Sequence, residues 1–164
     1  MFRASRYFKP GTILEVGTAM GMSTAYLARG NPESKVTTIE GCPNISAYAL
    51  DNFKALGINN IELINGNFND KLPQYLDSIP QLDMAFIDGN HREDPTIHYF
   101  EQCAAKTVNT SCIIFDDIHW SEGMNNAWTH IVNHSSVTLS IDLFFMGIVF
   151  FRKELSKQHF VIRF

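Results

Sequence analysis

Residues 14–28 read LEVGTAMGMSTAYLA, and this stretch decides the fold. A short apolar run carrying an acid, Glu15, turns through Gly17 and Gly21 and passes into residues whose apolar side chains recur at helical spacing. A parallel strand that ends in a glycine turn and opens a helix leaves backbone N–H groups and a helix N-terminus at the carboxyl edge of a sheet. Open α/β folds hold nucleotide-like ligands there. The spacing Glu15-x-Gly17-x-x-x-Gly21 differs from G-x-G-x-x-G, because none of Thr18, Ala19 and Met20 supplies the middle glycine that lets backbone meet a pyrophosphate. A diphosphate ligand is therefore disfavoured, and a nicotinamide-dependent oxidoreductase with it. An acid two residues before the first glycine suits a ligand with a positive group, such as an amino-acid moiety. The structural alternative is a tight connection with no ligand.

Outward from this segment, short apolar runs alternate with helical stretches, the pattern of βα units around a parallel sheet. Strands are expected at Thr12–Val16, Val36–Glu40, Ile61–Ile64, Met84–Ile87 and Cys112–Phe115. Helices are expected at Ser23–Arg29, Pro43–Leu56, Asp70–Ser78, Asp94–Val108 and Glu122–Asn133, with Gly30 and Gly57 as C-terminal stops and Pro43 as a helix start. After residue 136 the rhythm breaks. Val137–Leu143, Phe145–Arg152 and Phe160–Phe164 follow one another without room for crossover helices, so they are expected to pair antiparallel. No repeat, low-complexity segment or linker interrupts the chain, which is expected to form one domain.

With 45% hydrophobic and 18% charged residues, the 164-residue chain can bury a core and is not disordered. A net charge of −4 with scattered basic residues gives no electrostatic footprint for nucleic acid. Cys42, Cys103 and Cys112 are widely spaced and form no CxxC pair, which points to reduced thiols in a cytoplasmic protein and to small core residues. MFRASRYFKP has no apolar region behind its basic residues, and no window reaches the length of a membrane span.

Further acids stand at the ends of the other strands. Glu40 closes VTTIEG, about where α/β nucleotide folds place an acid that accepts ribose hydroxyls; its alternative is a solvated strand-end acid. Asn67 and Phe68 follow the third strand and suit an adenine edge and face, or simply a turn with one core aromatic. Asp88 follows the fourth strand, and Asp116 and Asp117 follow the fifth. Carboxylates converging at one sheet edge repel one another unless something positive lies between them, so a hard divalent cation such as Mg²⁺ is expected there. The alternative is that one acid caps a turn while another is solvated. His91, three residues past Asp88, suits a general base, or a loop histidine bonded to backbone. His119, Trp120, Met124 and Trp128 are candidate walls for a flat acceptor, with a core role favoured for Trp128. His130 and His134 have the i,i+4 spacing of a metal pair but lack the acid of HExxH, and are read as cations near a helix C-terminus.

Together these motifs resemble the class I S-adenosylmethionine-dependent methyltransferases, and within them the metal-dependent O-methyltransferase branch that includes catechol O-methyltransferase. The resemblance runs from about Ile13 to Phe151, with LEVGTAMGMSTAYLA as the cofactor loop, VTTIEG as the ribose strand, and FIDGNH with FDD as the acidic metal edge. It implies a Rossmann-like, doubly wound mixed α/β sheet of about seven strands whose last strands form an antiparallel hairpin. It implies a cofactor site in which Glu15 and Gly17 face the methionine part, with Thr18, Gly21 and Ser23 in the same loop, Glu40 on the ribose and Asn67–Phe68 on the adenine, with Asp88 also against the cofactor. Asp88, Asp116 and Asp117 would hold the metal, and Asp88 and His91 would be catalytic. The chain departs from the catechol enzyme in having Asp116–Asp117 for Asp-Asn and His91 for the family's lysine base. The first strand begins near residue 12, so the N-terminal helices that roof such sites are expected to be lacking. The expected function is methyl transfer to a hydroxyl of a small-molecule acceptor, without nucleic acid or membrane. The alternative is a non-catalytic S-adenosylmethionine-binding domain. An uncovered apolar face would favour a homo-oligomer.

Overall fold

The computed structural model describes residues 1–163, and the chain divides into two compact units, Met1–Ile79 and Pro80–Phe164. The first unit contains α1 (Phe2–Phe8), β1 (Thr12–Val16), α2 (Met22–Gly30), β2 (Lys35–Glu40), α3 (Pro43–Ala55), β3 (Ile61–Asn65) and α4 (Phe68–Ser78). β1 pairs parallel with β2, and β2 parallel with β3, in a register that sets Glu15 beside Thr38 and Glu40 beside Asn65. Ile13, Leu14, Val16, Val36 and Ile39 are fully buried, as expected of strands covered on both faces.

Both ends of α3 have a local cause. Pro43 stands in the first turn of α3, where its missing N–H costs nothing. Gly57 follows α3 at φ 61°, its N–H bonded to the Lys54 carbonyl at 3.0 Å while that of Ile58 reaches the Phe53 carbonyl at 3.0 Å. This Schellman pair satisfies carbonyls that the helix end leaves open. Gly30 does different work from the stop expected of it. It is the last residue of α2, and a Cβ there would lie 2.6 Å from the Phe2 carbonyl oxygen and 2.7 Å from Ser5 Cβ. Its bare backbone lets α1, which the sequence pattern did not reveal, lie against α2, where Ser5 Oγ donates to the Leu27 carbonyl at 2.8 Å.

The second unit contains β4 (Leu82–Ile87), α5 (Glu93–Ala104), β5 (Thr107–Asp116), α6 (Glu122–Asn133), β6 (Leu139–Asp142), β7 (Met146–Phe150) and β8 (Gln158–Val161). β4 and β5 are parallel; β7 pairs antiparallel with both β5 and β6. The expected Rossmann-like α/β class with a terminal antiparallel hairpin is the one observed, with eight strands and six helices among the described residues rather than seven strands.

Two expectations are corrected. The helix expected at Asp94–Val108 stops at Ala104, because Thr107 and Val108, β-branched, already belong to a ten-residue β5. The third terminal strand does not pair antiparallel: residues 151–157 cross β6 at the end where Leu139 lies opposite both Phe150 and Gln158, so β8, still running opposite to β7, pairs parallel with β6 on its far side. It was expected at Phe160–Phe164, whose last residue lies outside the described residues.

Candidate functional site

In the first unit the glycine turn is held from below. Glu15 is fully buried, and its Oε2 accepts hydrogen bonds from the Thr24 hydroxyl and from Thr38 Oγ1 at 2.6 Å. Since the Thr38 proton goes to Glu15, the 2.6 Å contact between Thr18 Oγ1 and Thr38 Oγ1 is a donation from Thr18. A buried carboxylate must be met by donors, and these hydroxyls fasten β1, β2, the turn and α2 to one acid. Glu15 thus holds the loop from beneath.

The turn itself uses left-handed backbone at Gly17 (φ 102°), Ala19 (φ 46°) and Gly21 (φ 81°). Gly21 is the N-cap of α2 and offers its amides no side-chain acceptor, as a site for an incoming carboxylate requires. Ser23, half-buried, sits in the first turn behind it. Glu40, at the end of β2, receives the Ala19 amide on Oε2 at 3.0 Å and the Cys42 amide on Oε1 at 2.9 Å. Each carboxylate oxygen keeps a second acceptor direction, which suits a pair of ribose hydroxyls. The Gly66 amide reaches the Glu40 carbonyl at 2.9 Å, placing the β3 turn beside it. Asn67 Oδ1 is occupied: it accepts the Asn69 amide at 2.9 Å and caps α4. That cap explains why α4 starts at Phe68 and not at Asp70. Phe68 itself is half-buried.

In the second unit, Asp88 follows β4 and leads into Asn90 (φ 67°) and His91 (φ 41°), while Asp117 follows β5 at φ 53°. Left-handed non-glycine residues clustered on two neighbouring loops mark a place where backbone strain is held by its surroundings. His91 Nε2 lies 3.4 Å from Asp88 Oδ1, and its Nδ1 lies 4.0 Å from Asp117 Oδ2. The hydrogen bond to Asp88, aided by the charges of Asp88, Asp117 and Asp116 and opposed by burial, raises the pKa of His91. Asp116 is also pushed up, by burial and by the like charges of Asp88 and Asp117. The carboxylates are thus close enough to repel, as expected. Among the described residues, however, no three His, Cys, Asp or Glu side chains are arranged as a ready metal site.

Beside Asp117 opens a cavity of about 170 Å³ lined by His119, Trp120, Phe144 and Phe145. Phe144 and Phe145 escaped the sequence reading because they lie in the β6–β7 turn, far along the chain. Met124, a candidate acceptor wall, faces inward instead, and Trp128 takes the core role favoured for it. With Ala127 and Ile131 they form the i, i+3, i+4, i+7 buried stripe of α6, and Trp128 fills the space left by Gly147, where a Cβ would meet its ring at 2.5 Å. His130 and His134 share a partner. Glu101 of α5 reaches both, at 3.2 Å and 3.4 Å. Cys103 and Cys112 are buried core thiols, while Cys42 is half-buried.

Compared with known proteins, residues 14–118 match the model of a methyltransferase domain. The chain belongs to this methyltransferase domain family. The matched segment takes in every expected site residue from Glu15 to Asp117. The methyltransferase domain is 30% identical over 109 residues to a catechol O-methyltransferase of Niastella koreensis, covering 65% of this chain and 48% of that protein. It spans about half the length of the curated catechol O-methyltransferases that it matches. Its fold is that of an S-adenosylhomocysteine-bound methyltransferase of Podospora anserina, with TM-score 0.80, 17% identity, and 93% and 76% of the two chains covered. An O-methyltransferase of Bacillus cereus in complex with S-adenosylhomocysteine aligns with TM-score 0.77, 22% identity, and coverage of 91% and 78%.

Proposed function

We propose that this methyltransferase domain methylates a hydroxyl oxygen of a small, flat, single-ring acceptor, with S-adenosylmethionine as donor. The observation that carries the acceptor is the cavity of about 170 Å³, walled by Trp120, Phe144 and Phe145 with Asp117 and His119 at its edge. A cavity of about 150 Å³ accommodates benzene, so this one suits one aromatic ring.

S-adenosylmethionine supplies an electrophilic methyl group on a sulfonium. Glu40 accepts the ribose hydroxyls, the amides at the start of α2 meet the carboxylate of the methionine part, and Phe68 meets the adenine. Thr18 and Ser23 support the same loop. His91, steadied by Asp88, takes the proton from the acceptor hydroxyl as the new O–C bond forms and the S–C bond breaks. Asp88, Asp116 and Asp117 would hold a divalent cation, whose chemistry when bound is Lewis-acid polarisation of the acceptor oxygen. Their hard oxygen donors and the mutual repulsion at Asp116 support that part of the proposal. The same proposal has the acceptor a free small molecule and the protein cytoplasmic, acting on neither nucleic acid nor membrane. The net charge of −4, the free thiols, and the absence among the described residues of a helix long and apolar enough to cross a membrane are in keeping with this. Exposed Tyr7, Met22 and Tyr26 favour self-association, which sedimentation would detect.

Labelled S-adenosylmethionine with catechol, with and without Mg²⁺, is the direct test. Methyl transfer is expected, with His91→Ala lowering kcat about 10²–10⁴-fold at unchanged cofactor affinity, and Glu40→Ala weakening cofactor binding at least about tenfold. Cofactor binding without transfer to any hydroxylated ring would leave the non-catalytic binding domain as the surviving reading. Calorimetry with Mg²⁺ on the wild type and Asp88→Ala decides the metal.

A further inference from the structure

We propose that Arg163 is a positioning residue for the acceptor cavity, acting through Asp142 to fix Phe144 as one of its walls. This rests on the cavity being the acceptor site. Asp142 ends β6 with only 4% of its surface exposed. Its Oδ1 accepts the Phe144 amide at 2.8 Å and Arg163 Nη1 at 3.0 Å, and its Oδ2 accepts His119 Nε2 at 2.8 Å. Arg163 Nη1 also lies 3.3 Å from the Asp142 carbonyl oxygen, and the Ile162 amide donates to that carbonyl at 2.8 Å. One carboxylate therefore gathers donors from the β5–α6 loop, the β6–β7 turn and the segment after β8.

Phe144 is the member that needs holding. It has φ 75°, a backbone conformation that a bulky residue rarely adopts without support. Its amide is tied to Asp142, and the Arg163 guanidinium sits 5.4 Å above its ring. The His119 ring lies 5.9 Å from that of Phe144, and Phe145 meets Phe144 edge-on at 5.0 Å. His119 has an anchor besides Asp142. Its Nδ1 bonds Asn125 Oδ1, whose amide nitrogen is committed to the Ser121 carbonyl at 3.1 Å. Removing Arg163 therefore loosens Phe144 while leaving the His119 side of the cavity in place. The depressed pKa of Asp142, despite burial that pushes it up, is in keeping with a carboxylate converged upon by donors.

The test pairs a readout of the latch with a readout of its purpose. Hydrogen exchange should show the Phe144 amide exchanging about tenfold faster in Arg163→Ala, with the α5 amides unchanged and Arg163→Lys lying between the two. With catechol as acceptor, Arg163→Ala should raise KM about five- to tenfold while kcat and S-adenosylmethionine affinity stay within about twofold. Wild-type exchange at Phe144 in Arg163→Ala overturns the latch whatever the activity. Faster exchange with an unchanged KM for catechol overturns the positioning role. Faster exchange in a protein that methylates catechol in neither form upholds the latch and sinks the acceptor reading instead.

Discussion

Replacing Gly21 by alanine tests how the glycine turn is built. The residue sits at φ +81°, and a Cβ there would lie 2.4 Å from Phe53 Cε1 and 2.6 Å from Cζ. Phe53 cannot give way easily, because it is 4% exposed on the buried side of α3. Forcing an L residue into left-handed backbone costs about 1–2 kcal/mol. Displacing a packed ring adds about 1–3 kcal/mol. Gly21→Ala should therefore lose about 2–5 kcal/mol in urea unfolding, and melt about 5–15 °C lower for a chain of this size. A double-mutant cycle separates the two terms. Phe53→Ala alone costs about 3–5 kcal/mol by leaving a cavity, yet in that background the new methyl meets no ring. Gly21→Ala should then cost only the backbone term, a coupling of about 1–3 kcal/mol. Cofactor affinity should follow the same pattern, since the shifted residue caps α2. A loss below about 1 kcal/mol, or an equal loss in both backgrounds, would refute the proposed packing of α3 against the turn.

Three further outcomes follow from the charges and thiols. Burial pushes the Asp142 carboxyl up, but hydrogen bonds from the Phe144 amide, His119 and Arg163 bring it below its ordinary value. A depressed folded value means that its stabilisation is complete above the unfolded value of about 4 and is lost as pH falls through the folded one. The stability gap between wild type and Asp142→Asn should thus stay level from about pH 5 to 7 and close below about pH 4; a gap that widens on acidification contradicts this. Asp116 has the opposite sign, raised by burial and by the charges of Asp88 and Asp117. Its ionised form opposes folding at neutral pH, so Asp116→Asn should gain about 0.5–2 kcal/mol at pH 7 while losing methyl transfer; a less stable variant would count against the carboxylate crowding. Burial pushes the Cys103 and Cys112 thiols up to about 12, so maleimide at neutral pH should label the native protein once, at Cys42. Rapid labelling of two sites would show that the core is open.

How much of this was legible depends on whether a feature is local. β1 and α6 stand where their patterns put them, at Thr12–Val16 and Glu122–Asn133, because an apolar run and a helical stripe are properties of adjacent residues. α1 was illegible because its support comes from Leu27 and the bare backbone of Gly30, more than twenty positions away. The pairing of β8 was illegible for a similar reason: HFVI reads as a strand, but the partner is chosen by the route of residues 151–157. The site divides in the same way. Glycines at φ above 60° and acids at strand ends betray themselves by residue type, so Gly17, Gly21 and Glu40 stand out in the sequence. That Glu15 points inward was hidden, since the hydroxyls it meets belong to Thr24 and Thr38. The period of α6, by contrast, was on view and separates Met124 and Trp128 from Trp120, which lies outside the helix. Asp142 marks the physical limit. Nothing in IDLFF announces an acid that collects donors from residues 119, 144 and 163, because a nearly buried charge is tolerable only once those donors have converged. Convergence belongs to the fold, and so the residue that organises the cavity wall carries no signature in its own neighbourhood.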